Sequence, residues 1–188
     1  MINSIGTTAI AAHSIANTAE SAFYIPGYGM QTAAATLAGN CYGARDKQRM
    51  KQLTRMMIAL EVLLMAISGA ALFITAEGLM GLFTRDAAVI ALGVRVLHMV
   101  AVSEPAFGIA IILEGIFQGV GDTKYTFFCN LIGMWGMRIV GTFICIKLLG
   151  MGLVSAWACM IAHNLVLCVL LTIRYLRGTW NPLNKQEA

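Results

Sequence analysis

The chain has 188 residues, of which 59% are apolar and only 12% charged, and its mean hydropathy is +0.75. Thirteen Lys and Arg with nine Asp and Glu are thin cover for a soluble globule, in which about a quarter of residues are charged. The apolar content excludes disorder, and five Cys without a C-x-x-C pair argue against a disulfide scaffold, which leaves an all-α, polytopic transmembrane helical bundle.

A hydrocarbon core about 30 Å thick calls for about 20 apolar residues per helix. The first candidate span, 10–40, is helical in character and rich in Ala and Thr, and it holds His13, Glu20 and Pro26. With Ser14, Asn17, Thr18 and Ser21 beside Glu20 it would make a poor lipid-facing helix, so it is expected to line the interior. The second span, 56–76, carries one charge, Glu61. The third, 87–118, is longer than one crossing requires and carries Arg95, Glu104 and Glu114. The fourth, 125–149, contains Arg138, while Lys147 near its end snorkels to the interface. The fifth, 153–173, has no charge at all. Residues 179–188 read as a short, polar, mobile cytoplasmic tail. Residues 1–6 lack a basic segment ahead of a compact apolar stretch, so no cleavable signal peptide is expected.

The basic residues orient these spans. Arg45, Lys47, Arg49, Lys51 and Arg55 cluster between the first and second, Lys124 lies between the third and fourth, and Arg174, Arg177 and Lys185 follow the fifth. The opposite side holds Arg85, Arg95 and Lys147. Nine against three places the nine in the cytoplasm, and the C-terminus with them. A net charge of +4 distributed in this way is explained by the bilayer, so no nucleic-acid partner is expected.

Ionisable groups within spans are costly and ordinarily face a bundle interior or a water-filled cavity. At 1.5 Å per residue, Glu104 lies roughly 24 Å and Arg138 roughly 21 Å from the inner ends of their helices. The two are expected to pair, or to share a polar cavity, near the midplane; the alternative is a structural ion pair that never meets substrate. Glu61 and Glu114, roughly 9 Å from the inner face by the same measure, are expected at the cytoplasmic rim. His13, His98 and His163 read as hydrogen-bonded packing residues. No His, Cys and carboxylate spacing resembles a zinc site, and no nucleophile with its base or phosphate loop is present. The sequence points to transport, not to catalysis.

Pro26 (YIPGYG) and Pro105 (SEPAFG) each free a carbonyl one turn back, at Ala22 and Ala101. Each is followed within three residues by Gly, so both are candidate bending points; static kinks held by neighbouring helices are the alternative. Ala35-Gly39-Gly43 and Gly115-Gly119 repeat small residues at four-residue spacing and allow close helix contact. The five Cys read as small apolar fillers. The 12 Met and eight Phe would suit an adaptable pocket or a lipid-facing surface equally well.

Two stretches, 6–46 and 82–124, together resemble the multidrug and toxic compound extrusion (MATE) transporters. The first carries a Pro-Gly step and ends in Gly39-Asn40-Cys41-Tyr42-Gly43-Ala44, similar to the family's Gly-x-x-x-Gly-Ala turn. The second carries a Pro and ends in Gln118-Gly119-Val120-Gly121-Asp122-Thr123, where the family usually has Arg in place of Gln118. The resemblance spans about residues 6–177. It implies one lobe of a two-lobe, twelve-helix transporter, here the second, with residues 1–178 as a partial lobe and a missing N-terminal lobe as its partner.

The same resemblance implies a secondary antiporter in the cell membrane that exports organic cations in exchange for Na+ or H+, with no other cofactor. Glu104 lies in the helix where some members have a cation-linked carboxylate, about one turn from the position a loose alignment gives. Glu104 is the candidate coupling-ion site, Arg138 its partner and Glu20 a candidate for the cavity wall. A flippase of lipid-linked oligosaccharide, which shares the general architecture, and a nonfunctional truncated remnant are the alternatives.

Overall fold

The computed structural model describes residues 5–184. It is a bundle of five long helices: α1 (Thr7–Gly43), α2 (Lys47–Phe83), α3 (Ala87–Gly119), α4 (Thr123–Leu148) and α5 (Leu153–Leu176). The expected all-α class is found, with no strand among the described residues. Helices α2 to α5 are long and apolar enough to cross a membrane. Helix α1 has the length, 37 residues, but its Thr, Ser, Gly, Asn and Tyr content leaves it too polar for that set.

Local chemistry sets the helix ends. The Asp46 carboxylate accepts from the Arg49 amide at 2.9 Å, and that of Asp86 accepts from the Ala88 amide at 2.9 Å, so each caps orphan donors at a helix start. The cap at Asp46 lets α2 begin nine residues before the expected span, its first turns forming a basic extension. Between α3 and α4, Gly121 sits at φ 84°, where a side chain would be strained. The Asp122 carboxylate then takes a fork of two bonds from Arg174 of α5, at 2.9 and 3.0 Å, and that guanidinium lies 4.3 Å from the Tyr125 ring centre. The Gly119-Val120-Gly121-Asp122 motif thereby ties α3, α4 and α5 at one end.

Helix α3 is central, packing on α1, α2 and α5, while α4 docks on α5 and touches α3 only lightly. Small residues make the α1–α3 contact close. A Cβ placed on Gly119 would meet the Ala35 backbone, and one on Gly115 would meet the Gln31 backbone. Helix α4 meets α5 through glycine as well, with Gly133 against His163 and Gly141 against Cys159. Beyond Gly133 this helix winds as a π-helix over Gly133–Gly141 and Ile144–Leu148, which the sequence reading does not anticipate.

The core falls into two apolar layers. One gathers Ala34, Ala38, Met50, Met57, Ile112, Leu113, Ile116, Phe117 and Leu171 near the basic end. The other gathers Ala9, Ala12, Ala16, Ala19, Leu72, Ala76, Met80, Val96, Leu97, Val100, Ala101 and Trp157 near the opposite end. The buried groups Glu20, Glu61, Glu104 and His163 lie between them. The segment after Trp180, expected to be mobile, is instead docked over its described part: Trp180, Asn181 and Leu183 are buried, and Pro182–Asn184 forms a 3-10 turn. Lys185 and the rest of the expected tail lie outside the described residues.

Candidate functional site

The middle layer contains a cavity of about 260 Å³ between α1, α3, α4 and α5. Helix α1 contributes Asn17, Glu20, Tyr24 and Tyr28, which follow one another at three- and four-residue spacing and so share a face. Across the cavity stand Phe107 and Glu114 of α3, Asn130 and Arg138 of α4, and His163 of α5. Tyr24 meets Tyr28 edge-on at 5.5 Å between ring centres and Phe107 at 6.3 Å. Two carboxylates beside three aromatic rings form a surface that suits an organic cation.

The expected Glu104–Arg138 pair is not formed. The Arg138 guanidinium reaches the Met160 sulfur at 3.4 Å, and the cavity wall it shares contains Glu20 and Glu114. Glu104 is 2% exposed and turned toward α2, where a Cβ on Gly69 would lie 3.3 Å from its own Cβ. Depth along a helix fixes only one coordinate. Glu104 and Glu114 are about 80° apart around α3 at 3.6 residues per turn, and it is Glu114 that faces α4.

Glu61 and Glu114, expected near the cytoplasmic rim, both face neighbouring helices. Glu61 is 0% exposed and wedged where α1, α2 and α3 meet: a Cβ on Gly27 would lie 2.7 Å from its Oε1, and one on Gly108 would lie 3.1 Å from its Cγ. Neither of its oxygens has a hydrogen-bond partner, and Oε2 of Glu104, one turn along α3, has none either. Glu114 accepts from Asn130, and from the Gln31 amide at 3.4 Å. Glu61 follows the start of α2 by 14 residues, of which the first nine form the basic extension.

Both prolines lie inside helices that continue through them, and one segment of α2 touches both turns. Ser68 Oγ donates to the Phe23 carbonyl at 2.8 Å, beside the turn that Pro26 interrupts. Gly69 packs on the Ala101 carbonyl, the one Pro105 deprives of its helical donor; a Cβ there would lie 2.5 Å from that oxygen. Only glycine fits so close to a backbone oxygen.

Two histidines behave as expected. His13 accepts from the Trp157 indole at 3.2 Å, and His98 stacks on Phe73 and bonds its carbonyl at 3.1 Å. His163, however, has no partner at either ring nitrogen and faces the cavity. The cysteines are all free, with the Cys145 and Cys159 sulfurs 3.9 Å apart. Among the described residues, no three His, Cys, Asp or Glu side chains converge to hold a metal ion.

Comparison with known proteins gives one consistent match. The family model described as MatE covers residues 1–144. A probable multidrug resistance protein NorM of Thermotoga maritima is 27% identical over 175 residues, which is 93% of this chain and 38% of that protein. The protein of the same description in Xanthomonas axonopodis pv. citri is 31% identical over 73% of this chain and 30% of its own length. Among solved structures, one described as a MATE in the bent conformation superposes with a TM-score of 0.87 at 18% identity, covering 95% of this chain and 40% of its own. The chain thus spans well under half the length of the relatives it matches.

Proposed function

The chain belongs to the MatE family, a family of membrane transporters and not of enzymes, and from that premise we propose that it forms the second lobe of a secondary antiporter. The transporter exports organic cations across the cell membrane in exchange for Na+ or H+, and residues 1–178 of this chain pack against a preceding lobe of similar build. The observation that carries the reading is the mid-bundle cavity in which Glu20 and Glu114 stand beside Tyr24, Tyr28 and Phe107. The names of the relatives, multidrug resistance proteins, support the same substrate class. The excess of basic residues on one side supports a cytoplasmic C-terminus.

In this reading an ionised carboxylate holds the drug cation, and binding of the coupling ion elsewhere in the polar layer shifts the balance between two lobe arrangements. Glu104 is the coupling-ion group, because it is buried, has an unpartnered oxygen and lies off the cavity wall. Glu20 and Arg138 set the charge of the cavity, and Pro26 and Pro105 are the bending points, joined through Ser68 and Gly69. A flippase for lipid-linked oligosaccharide would call for a cationic cavity to hold pyrophosphate. Arg138 is the only Lys or Arg among the described lining residues, and it is offset by two carboxylates.

The test is efflux of ethidium from vesicles containing the intact transporter, under an imposed inward Na+ or proton gradient. Gradient-dependent ethidium export is expected. Export that ignores both gradients would overturn the antiport reading.

A further inference from the structure

A second cavity, of about 590 Å³, opens at the basic end of the bundle between the start of α2 and the end of α5. One wall carries Lys47, Lys51 and Arg55, and the other Tyr175, Leu176 and Trp180, with no carboxylate among the described lining residues. The second wall is held by packing and a hydrogen bond. Trp180 is buried, its ring lies 5.7 Å from Tyr175 and 5.5 Å from Phe117, and its indole donates to the Tyr175 carbonyl at 3.1 Å. Arg174, the nearby cation on α5, is already engaged by Asp122. The side chains of Lys51 and Arg55 have no ion pair or hydrogen bond among the described residues.

The three cations stand four residues apart on α2, and the same row continues with Ala59, Leu63 and Ile67. Leu63 is 59% and Ile67 63% exposed, so the charged cleft opens onto an apolar track along the helix. From Arg55 to Ile67 that track runs about 18 Å, close to the half-thickness of about 15 Å of a bilayer core. A cationic cleft bounded by aromatic residues at the interface, with an apolar track leading from it into the membrane, matches the division of a phospholipid into headgroup and acyl chain. Inorganic phosphate would make no use of the track.

We propose that this cleft binds an anionic phospholipid, its phosphate held by Lys51 and Arg55 and one acyl chain lying along Ala59, Leu63 and Ile67. Two cations at about 1 kcal/mol each correspond to a preference of about 30-fold over a zwitterionic lipid. The experiment is native mass spectrometry of the full chain in detergent with equimolar dioleoyl phosphatidylglycerol and phosphatidylcholine. One phosphatidylglycerol is expected to be retained with that preference. It should fall toward unity in Lys51→Gln/Arg55→Gln, persist in Lys51→Arg/Arg55→Lys, and be unchanged in Arg85→Gln at the opposite end. Equal retention of phosphatidylcholine would overturn the proposal, as would an equal loss in Arg85→Gln. Competition by inorganic phosphate or short-chain phosphatidylglycerol as strong as by the dioleoyl lipid would assign the cleft to a free anion and overturn it as well.

Discussion

Replacing Gly119 by Ala tests a close helix contact in which backbone faces the glycine. The added Cβ would lie 2.9 Å from the Ala35 carbonyl carbon and 3.1 Å from its Cα, and closer still to its oxygen. Carbon atoms prefer separations of about 3.5–4.0 Å, so α1 must retreat from α3 by roughly half an ångström or more. Overpacking costs about 1–3 kcal/mol, and the upper end applies because the opposing atoms are backbone and cannot change rotamer. Gly119 is the last residue of α3, so little helix propensity is recovered in return. Gly78 of α2 supplies the control: nothing lies within 4 Å of its added Cβ, and Ala there should stabilise by up to about 1 kcal/mol through propensity alone. Unfolding of the full chain in mixed micelles by SDS titration, followed by far-UV circular dichroism, compares the two. Gly119→Ala at or above the parent stability would refute the claim that α1 and α3 touch at Ala35.

Three further substitutions probe other contacts in the same assay. Ser68→Ala removes the bond to the Phe23 carbonyl and should cost about 1 kcal/mol; no loss would mean α2 does not support the turn near Pro26. Asp122→Asn breaks the fork with Arg174, whose side chains are 24% and 17% exposed for Arg174 and Asp122. With solvent weakening the pair, about 1–2 kcal/mol is expected to be lost, and a smaller difference at high salt. Glu61→Met replaces a buried, unpartnered carboxyl with an apolar chain of similar size and should stabilise by about 1–3 kcal/mol. A loss of stability there would show that Glu61 has a partner in the folded protein.

Much of this architecture is legible in the sequence because one-dimensional features encode it. Apolar runs long enough to cross a bilayer mark α2 to α5, and the spacing of Gly115 and Gly119 marks the α1–α3 contact. The polar face of α1 identifies the helix that lines the cavity. Two-dimensional information is what the sequence withholds. Glu104 and Arg138 match in depth, yet the docking of α4 on α5 turns Arg138 toward Glu20 and Glu114. The wedging of Glu61 between α1 and α3 is withheld too, because the sequence does not show which face of α2 meets them. The π-helical winding around Arg138 and the fit of Gly69 on the Ala101 carbonyl depend on neighbours far apart in sequence.

The central claim is that a buried carboxylate of the middle layer couples substrate movement to an ion gradient. Glu104→Gln in the intact transporter tests it most directly, by comparing gradient-driven ethidium efflux with ethidium exchange at equilibrium in the same vesicles. The account predicts that exchange persists while gradient-driven efflux is lost. Undiminished gradient-driven efflux in Glu104→Gln would contradict it.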